Sequence, residues 1–217
     1  MRSAVLFLLC FCVTLVVVPA TAQMLYENGP INGHTDAWTI NFGFGVANSF
    51  VLPNDSQITG ISFGTWVTPG DVLQSAEVSI VSDPEGGGHT YFDGIVNFTQ
   101  SGCFLNEYSY NVCTETGNFG PVNLIGDTYY LVLQNGITAE GNPVYWDENS
   151  GTDCHSPGCP SDAHEYGRYE TIPSEAFSVL GNNGTNTTVP EPGSLALFAT
   201  GVVGAFGWVS SRLRKLR

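Results

Sequence analysis

Four cysteines lie in the body of this 217-residue chain, Cys103, Cys113, Cys154 and Cys159. Their spacing favours two short-range bridges, Cys103–Cys113 and Cys154–Cys159, provided the chain reaches an oxidising compartment. Each closed loop of that size stabilises a fold by about 2–3 kcal/mol on the chain-entropy model. Cys154, His155, Cys159 and His164 are residue types that suit zinc. Their spacing matches no standard finger, however, and oxidised thiols do not ligate, so no metal is expected there. Asp147, Glu148 and Asn149, followed by Asp153, open like an oxygen-ligand loop. Gly151 and Gly158 then occupy the fifth and twelfth positions, where a calcium loop of the EF-hand type needs ligands. A structural Ca²⁺ held by Asp147, Asn149 and Asp153 stays open beside the simpler reading of a solvated acidic loop.

Signals for catalysis are weak. Ser, His and Asp occur without a G-x-S-x-G elbow. Gly86, Gly87 and Gly88 follow Asp83-Pro84-Glu85 with no lysine to hold a phosphate. No two carboxylates stand out as a glycosidase pair. His34, His89, His155 and His164 all sit near Gly, Pro or Asp, in loop-like sequence. The expectation is a protein without catalytic residues or cofactor, acting by binding or by filling a matrix. Aromatic rings pack on the apolar faces of sugars, so Trp38, Trp66, Tyr145 and Trp146 are candidate sugar platforms, with Tyr166 beside them. Each of these rings equally suits a hydrophobic core.

Charge narrows the partners. Between Gln23 and Val189 there is one basic residue, Arg168, against 19 acids, a formal charge of −18. Such a body repels phosphate backbones, which excludes nucleic acid. Charged residues make up only 12% of the chain, and no Ala/Glu/Lys/Leu-rich stretch exists, which excludes coiled coils and helical bundles.

The two ends read as addresses. Arg2 precedes an uncharged apolar run from Ala4 to Val18, followed by Pro19 and the small-residue frame Ala20-Thr21-Ala22. This is the pattern of a secretory signal peptide over residues 1–22, cut by signal peptidase before Gln23. At the other end, residues 194–211 form a second apolar run, about 27 Å long as a helix, just enough to span a membrane. Arg212, Arg214, Lys215 and Arg217 follow at once and hold that end in the cytoplasm, leaving the body on the outer side.

Val189-Pro190-Glu191-Pro192-Gly193, a short membrane span and a basic end, in that order, resemble the PEP-CTERM protein-sorting tail. The resemblance covers residues 189–217. It implies a substrate of exosortase, a membrane enzyme that recognises the Pro-Glu-Pro triplet and cuts nearby. The product then goes to the cell surface or into extracellular polysaccharide. The triplet also makes physical sense, because its prolines keep the chain extended, as a protease cleft requires.

The elements that must position any chemistry lie in residues 23–181. Short runs rich in Val, Ile, Phe, Tyr and Thr are cut by Gly, Pro, Asn and Asp, and no run carries a helical stripe. Strands are expected at 36–41, 48–52, 57–66, 75–81, 90–99, 108–115, 122–124, 128–134, 143–146 and 176–179. Tyr129–Leu133 is apolar on both faces and should be central. The pattern predicts an all-β fold, a β-sandwich of jelly-roll type. Residues 182–188, small, polar and uncharged, read as a flexible linker to the tail. The body also resembles, more loosely, the extracellular β-sandwich domains that precede such tails. That likeness runs through Asp36–Ile40, Ser49–Leu52 with Ile58–Ile61, and Tyr129–Asn135 with Tyr145-Trp146-Asp147.

Overall fold

The computed structural model describes residues 22–168 and 170–184. The expected signal peptide, linker residues 185–188, sorting tail and membrane span lie outside that range. The described chain is all β, with twelve strands and no helix. The strands are β1 (Gln23–Glu27), β2 (Ala37–Thr39), β3 (Gly45–Val51), β4 (Ser56–Val67), β5 (Leu73–Val81) and β6 (Thr90–Leu105). They continue with β7 (Asn111–Leu124), β8 (Thr128–Thr138), β9 (Val144–Asp147), β10 (Ala163–Glu165), β11 (Glu170–Ile172) and β12 (Phe177–Asn183).

All pairings are antiparallel, in the order β1-β12-β4-β7-β6-β5-β8-β3-β10-β11. The two layers of the expected sandwich are one curled sheet rather than two separate ones. The link is β6. Its first half pairs with β5, from Ser75↔Asn97 to Val81↔Thr90, and its second half pairs with β7, from Phe98↔Gly117 to Leu105↔Asn111. A strand of 16 residues, roughly 50 Å long, is long enough to belong to both layers. The curl brings β1 against β3, where Tyr26 and Phe50 meet at 6.1 Å between ring centroids.

The core between the layers joins Ile61 and Phe63 of β4, Val78 and Ile80 of β5, Leu131 and Leu133 of β8, Trp146 of β9 and Phe177 of β12. Burying each such aliphatic or aromatic side chain contributes about 1.5–3 kcal/mol. β8 is central, between β5 and β3, as its two-sided apolar sequence requires.

Several boundaries differ from the sequence reading, β6 running on to Leu105 and β8 to Thr138 among them. Residues 111–115 of the expected run 108–115, together with the run 122–124, belong to one strand, β7, with a register shift opposite Ile58 and Gly60, while 108–110 lie in the turn before it. Gly120 and Pro121 made this stretch look broken. Proline is tolerated there because β7 beyond Gly117 pairs only with β4 and leaves its other edge open. β12 runs on to Asn183, into the expected linker, because Asn182 and Asn183 still pair with Gln57 and Ser56 through backbone groups. β1, β10 and β11 were not anticipated; the last two are three-residue strands, too short for periodicity to reveal.

One edge of β4 is shared end to end. β12 pairs with it from Ser56 to Phe63, and β9 takes over from Thr65 to Val67. Both ends of the described chain meet at the first of these poles, since Gln23 pairs with Gly181 and Asn183 with Ser56. The opposite pole, at Trp66 and Val67, lies about 35 Å away along the twelve residues of β4.

Candidate functional site

At that far pole a row of side chains crosses four strands on the outer face of the sheet. Its register is Phe104 (β6) to Val112 (β7), Val112 to Trp66 (β4), and Trp66 to Tyr145 (β9). Three inter-strand steps make it about 14 Å long. Over the row stands the β6–β7 hairpin loop, which adds Tyr108 and Tyr110. Tyr108 stacks on Trp66, with centroids 5.4 Å apart and planes inclined by 21°. Tyr110 lies 6.0 Å from Trp66 and meets Tyr145 edge-on at 5.6 Å. Burial, then contact with the Tyr110 hydroxyl, pushes the Tyr145 phenol above its ordinary pKa, so it remains a hydroxyl donor.

The loop is held by its own chemistry. Asn106 is buried, and its Oδ1 accepts from the Tyr108 and Tyr110 amides at 3.1 and 2.9 Å. Its Nδ2 donates to the Gly33 carbonyl at 3.2 Å. Ser109 takes a φ of +66°, and the Cys103–Cys113 disulfide closes the hairpin behind it. The result is a fixed turn that leaves Tyr108 51% exposed, with Phe104 and Leu105 also open to solvent.

Beside the row, on the same face of the sheet, Asp147 is fully buried. Its Oδ1 accepts from Trp66 Nε1 at 2.5 Å and from the Gly33 amide at 3.0 Å, and its Oδ2 accepts from the Asn32 amide at 2.8 Å. Burial raises its pKa, and these three donors only partly offset that.

The four proposed platform residues therefore divide. Trp66 and Tyr145 come together, but Trp66 serves as the bed for Tyr108. Trp146 is core: it is 0% exposed, packs edge-on against Phe63 and Phe177, and donates to the Ala176 carbonyl at 3.0 Å. Trp38 is half-buried, with Nε1 donating to Glu148 Oε1 at 3.0 Å. Tyr166 packs on the small cluster of Ala47, Val81 and Val132. Sequence reasoning missed Tyr108, Tyr110 and Phe104. The signal available was an aromatic-rich turn, FLNEYSY, between two bridged cysteines.

The calcium candidates do not converge. Both oxygens of Asp147 are taken by N–H donors. Asn149 Nδ2 donates to the Ser174 hydroxyl and the Glu175 carbonyl, and its Oδ1 accepts from the Gly151 amide. Asp153 is exposed on a turn with a φ of +58°. Among the described residues, no group of three His, Cys, Asp or Glu side chains could hold a metal ion. His164 is paired instead with Asp162, Nε2 to Oδ2 at 2.9 Å.

The expected Cys154–Cys159 bridge is corrected: both are thiols in the structure. Burial, then contact with Cys159, pushes the Cys154 thiol up to about 12. The expected Cys103–Cys113 bridge is present.

A second acidic feature lies where β9 and β12 meet along β4. Glu148 and Glu175 face each other across an isolated antiparallel bridge. Glu175 is wholly buried, and neither of its oxygens has a hydrogen-bond partner. Burial first, then Glu148, Asp147 and Asp36, hold its carboxyl well above the usual range.

The family model for the PEP-CTERM protein-sorting motif matches residues 188–215. The chain thus carries this sorting motif, which implies export, a membrane-anchored precursor and processing by exosortase. No curated protein matches the chain.

Proposed function

We propose that this chain is a non-catalytic cell-surface or matrix protein whose body associates with extracellular polysaccharide after exosortase releases it. The observation that carries the reading is the sorting motif at residues 188–215, next to a body whose two described ends share one pole. β1 begins at Gln23, the residue that signal-peptide cleavage would expose, so the whole of this strand stays with the processed body. The membrane span would then tether the body by that pole, with the Tyr108 pole turned outward. Density of acids against a single arginine suits an extracellular module that stays soluble and avoids nucleic acid.

Changing Glu191→Ala tests the sorting step. The full-length form should accumulate in membranes, whereas the wild-type chain should appear shortened and co-fractionate with extracellular polysaccharide. Normal yields of shortened E191A would defeat the recognition step. A wild-type product that separates cleanly from the polymer would defeat the association.

A second reading, a lectin-like module with a defined sugar ligand, is favoured by the exposed aromatic side chains gathered on one pinned turn.

A further inference from the structure

We propose that the strip formed by Phe104, Tyr108, Tyr110 and Tyr145 is the carbohydrate site, and that its ligand is an uncharged polysaccharide chain. This rests on the polysaccharide association proposed above and names the surface and ligand class that serve it.

Three observations select this strip. The first is pre-organisation. Tyr108 has one ring face on Trp66 and half its surface in water, and its backbone amide is held by Asn106. A ring fixed in this way loses little conformational entropy when a sugar stacks on its open face. The second is chemistry. The strip alternates apolar ring surface with three phenolic hydroxyls, matching the apolar faces and equatorial hydroxyls of a sugar chain. The third is position. Both described ends of the body lie at the other pole, so the strip stands away from them both before and after processing.

Charge decides the occupant. The nearest exposed ionic side chain on the loop is Glu107, and the body as a whole carries −18. A uronic-acid or phosphate-bearing polymer meets repulsion, and so does a second copy of this chain. An uncharged chain meets neither. A polymer also repeats its epitope, so weak single contacts suffice to retain the protein.

The test uses the full chain purified in detergent. The probes are the extracellular polysaccharide of the producing culture, separated by anion exchange into a neutral and an acidic fraction. The wild-type chain should be retarded by the neutral fraction in affinity electrophoresis and not by the acidic one. Tyr108→Ala should weaken retention about tenfold while leaving the chain folded and the elution volume unchanged. Tyr108→Phe, which keeps the ring, should retain most of the binding.

Retardation by the acidic fraction alone, or undiminished binding by a folded Y108A chain, would overturn the site while leaving the association intact. A change in elution volume on Y108A would show the strip to be a self-contact, which also overturns it. Binding to neither fraction would remove the association itself. If Y108A fails to fold, a Phe104→Ser variant on the same exposed strip should show the same loss, and full binding by that variant would refute the proposal.

Discussion

Tyr108 lies flat on Trp66, 5.4 Å between centroids, and Trp66 is held at its indole N–H by Asp147 at 2.5 Å. The surface ring is thus tied to a buried carboxylate through one indole. Two substitutions should separate the links. Trp66→Phe keeps a ring under Tyr108 but removes one donor to Asp147, and should cost about 1–2 kcal/mol in urea denaturation. Asp147→Ala leaves the Trp66, Asn32 and Gly33 N–H groups without their acceptor and should cost about 3 kcal/mol or more. Equal losses for both would show that Asp147 is not the hub.

Gly64 guards the same carboxylate. A Cβ at this position would stand 2.8 Å from Asp147 Cβ and 2.9 Å from Ile31 Cγ2. Asp147 cannot easily retreat, because it is pinned by three donors. Gly64→Ala should therefore destabilise the fold by about 1–3 kcal/mol. It should also disturb Trp66, seen as a shift in tryptophan emission. Gly43, where nothing lies within 4 Å, is the control for loss of glycine alone, although its φ of +87° adds backbone strain.

The Cys103–Cys113 bridge spans ten positions in sequence across the hairpin that carries Tyr108. On the chain-entropy model, closing that loop is worth about 3 kcal/mol. Replacing both cysteines with serine should lower stability by up to that amount. Amide exchange should quicken at Tyr108 and Tyr110 in particular, since their amides bond within the turn. Exchange unchanged at the turn would mean that Asn106 alone fixes it.

The fold was largely legible because strand signals depend on local sequence. Alternation in Ser75–Val81 and the two-sided apolar run Tyr129–Leu133 placed β5 and β8 correctly. The curl through β6 was not legible, because which half of a strand pairs with which neighbour is set by register between distant segments. The same holds for the site. Trp66, Tyr145 and Asp147 carried visible chemistry, but their roles follow from cross-strand positions that sequence spacing does not encode. Asp147 looked like a cation ligand and proves to be the acceptor for an indole and two amides. Trp146, one residue away, points to the other face and is core, as the period of two along a strand requires. The Glu148–Glu175 pair was hidden for the same reason, since 27 positions separate residues that a single bridge makes neighbours.

That buried pair sets the pH dependence. Glu175, Glu148, Asp147 and Glu115 all have pKa values raised, in each case first by burial. An acid with a raised folded-state pKa keeps its proton longer in the folded chain than in the unfolded one. Its contribution to stability is complete below about 4.3, the unfolded value for Glu, and is lost as pH rises through the folded value. Asp71 works in the opposite sense. Burial pushes it up, but the Glu140 amide, the Asn142 side chain and the Val72 amide outweigh that and lower it, so its contribution is lost only as pH falls below the unfolded value. Four raised acids against one lowered acid predict greater stability near pH 5 than near pH 8. Glu175→Gln, which cannot ionise, should match the wild type near pH 5 and exceed it near pH 8, flattening the slope. Urea denaturation at the two pH values reads this directly. A wild-type chain more stable at pH 8, or an E175Q chain weaker than wild type there, would mean that Glu175 is ionised and compensated in the folded protein.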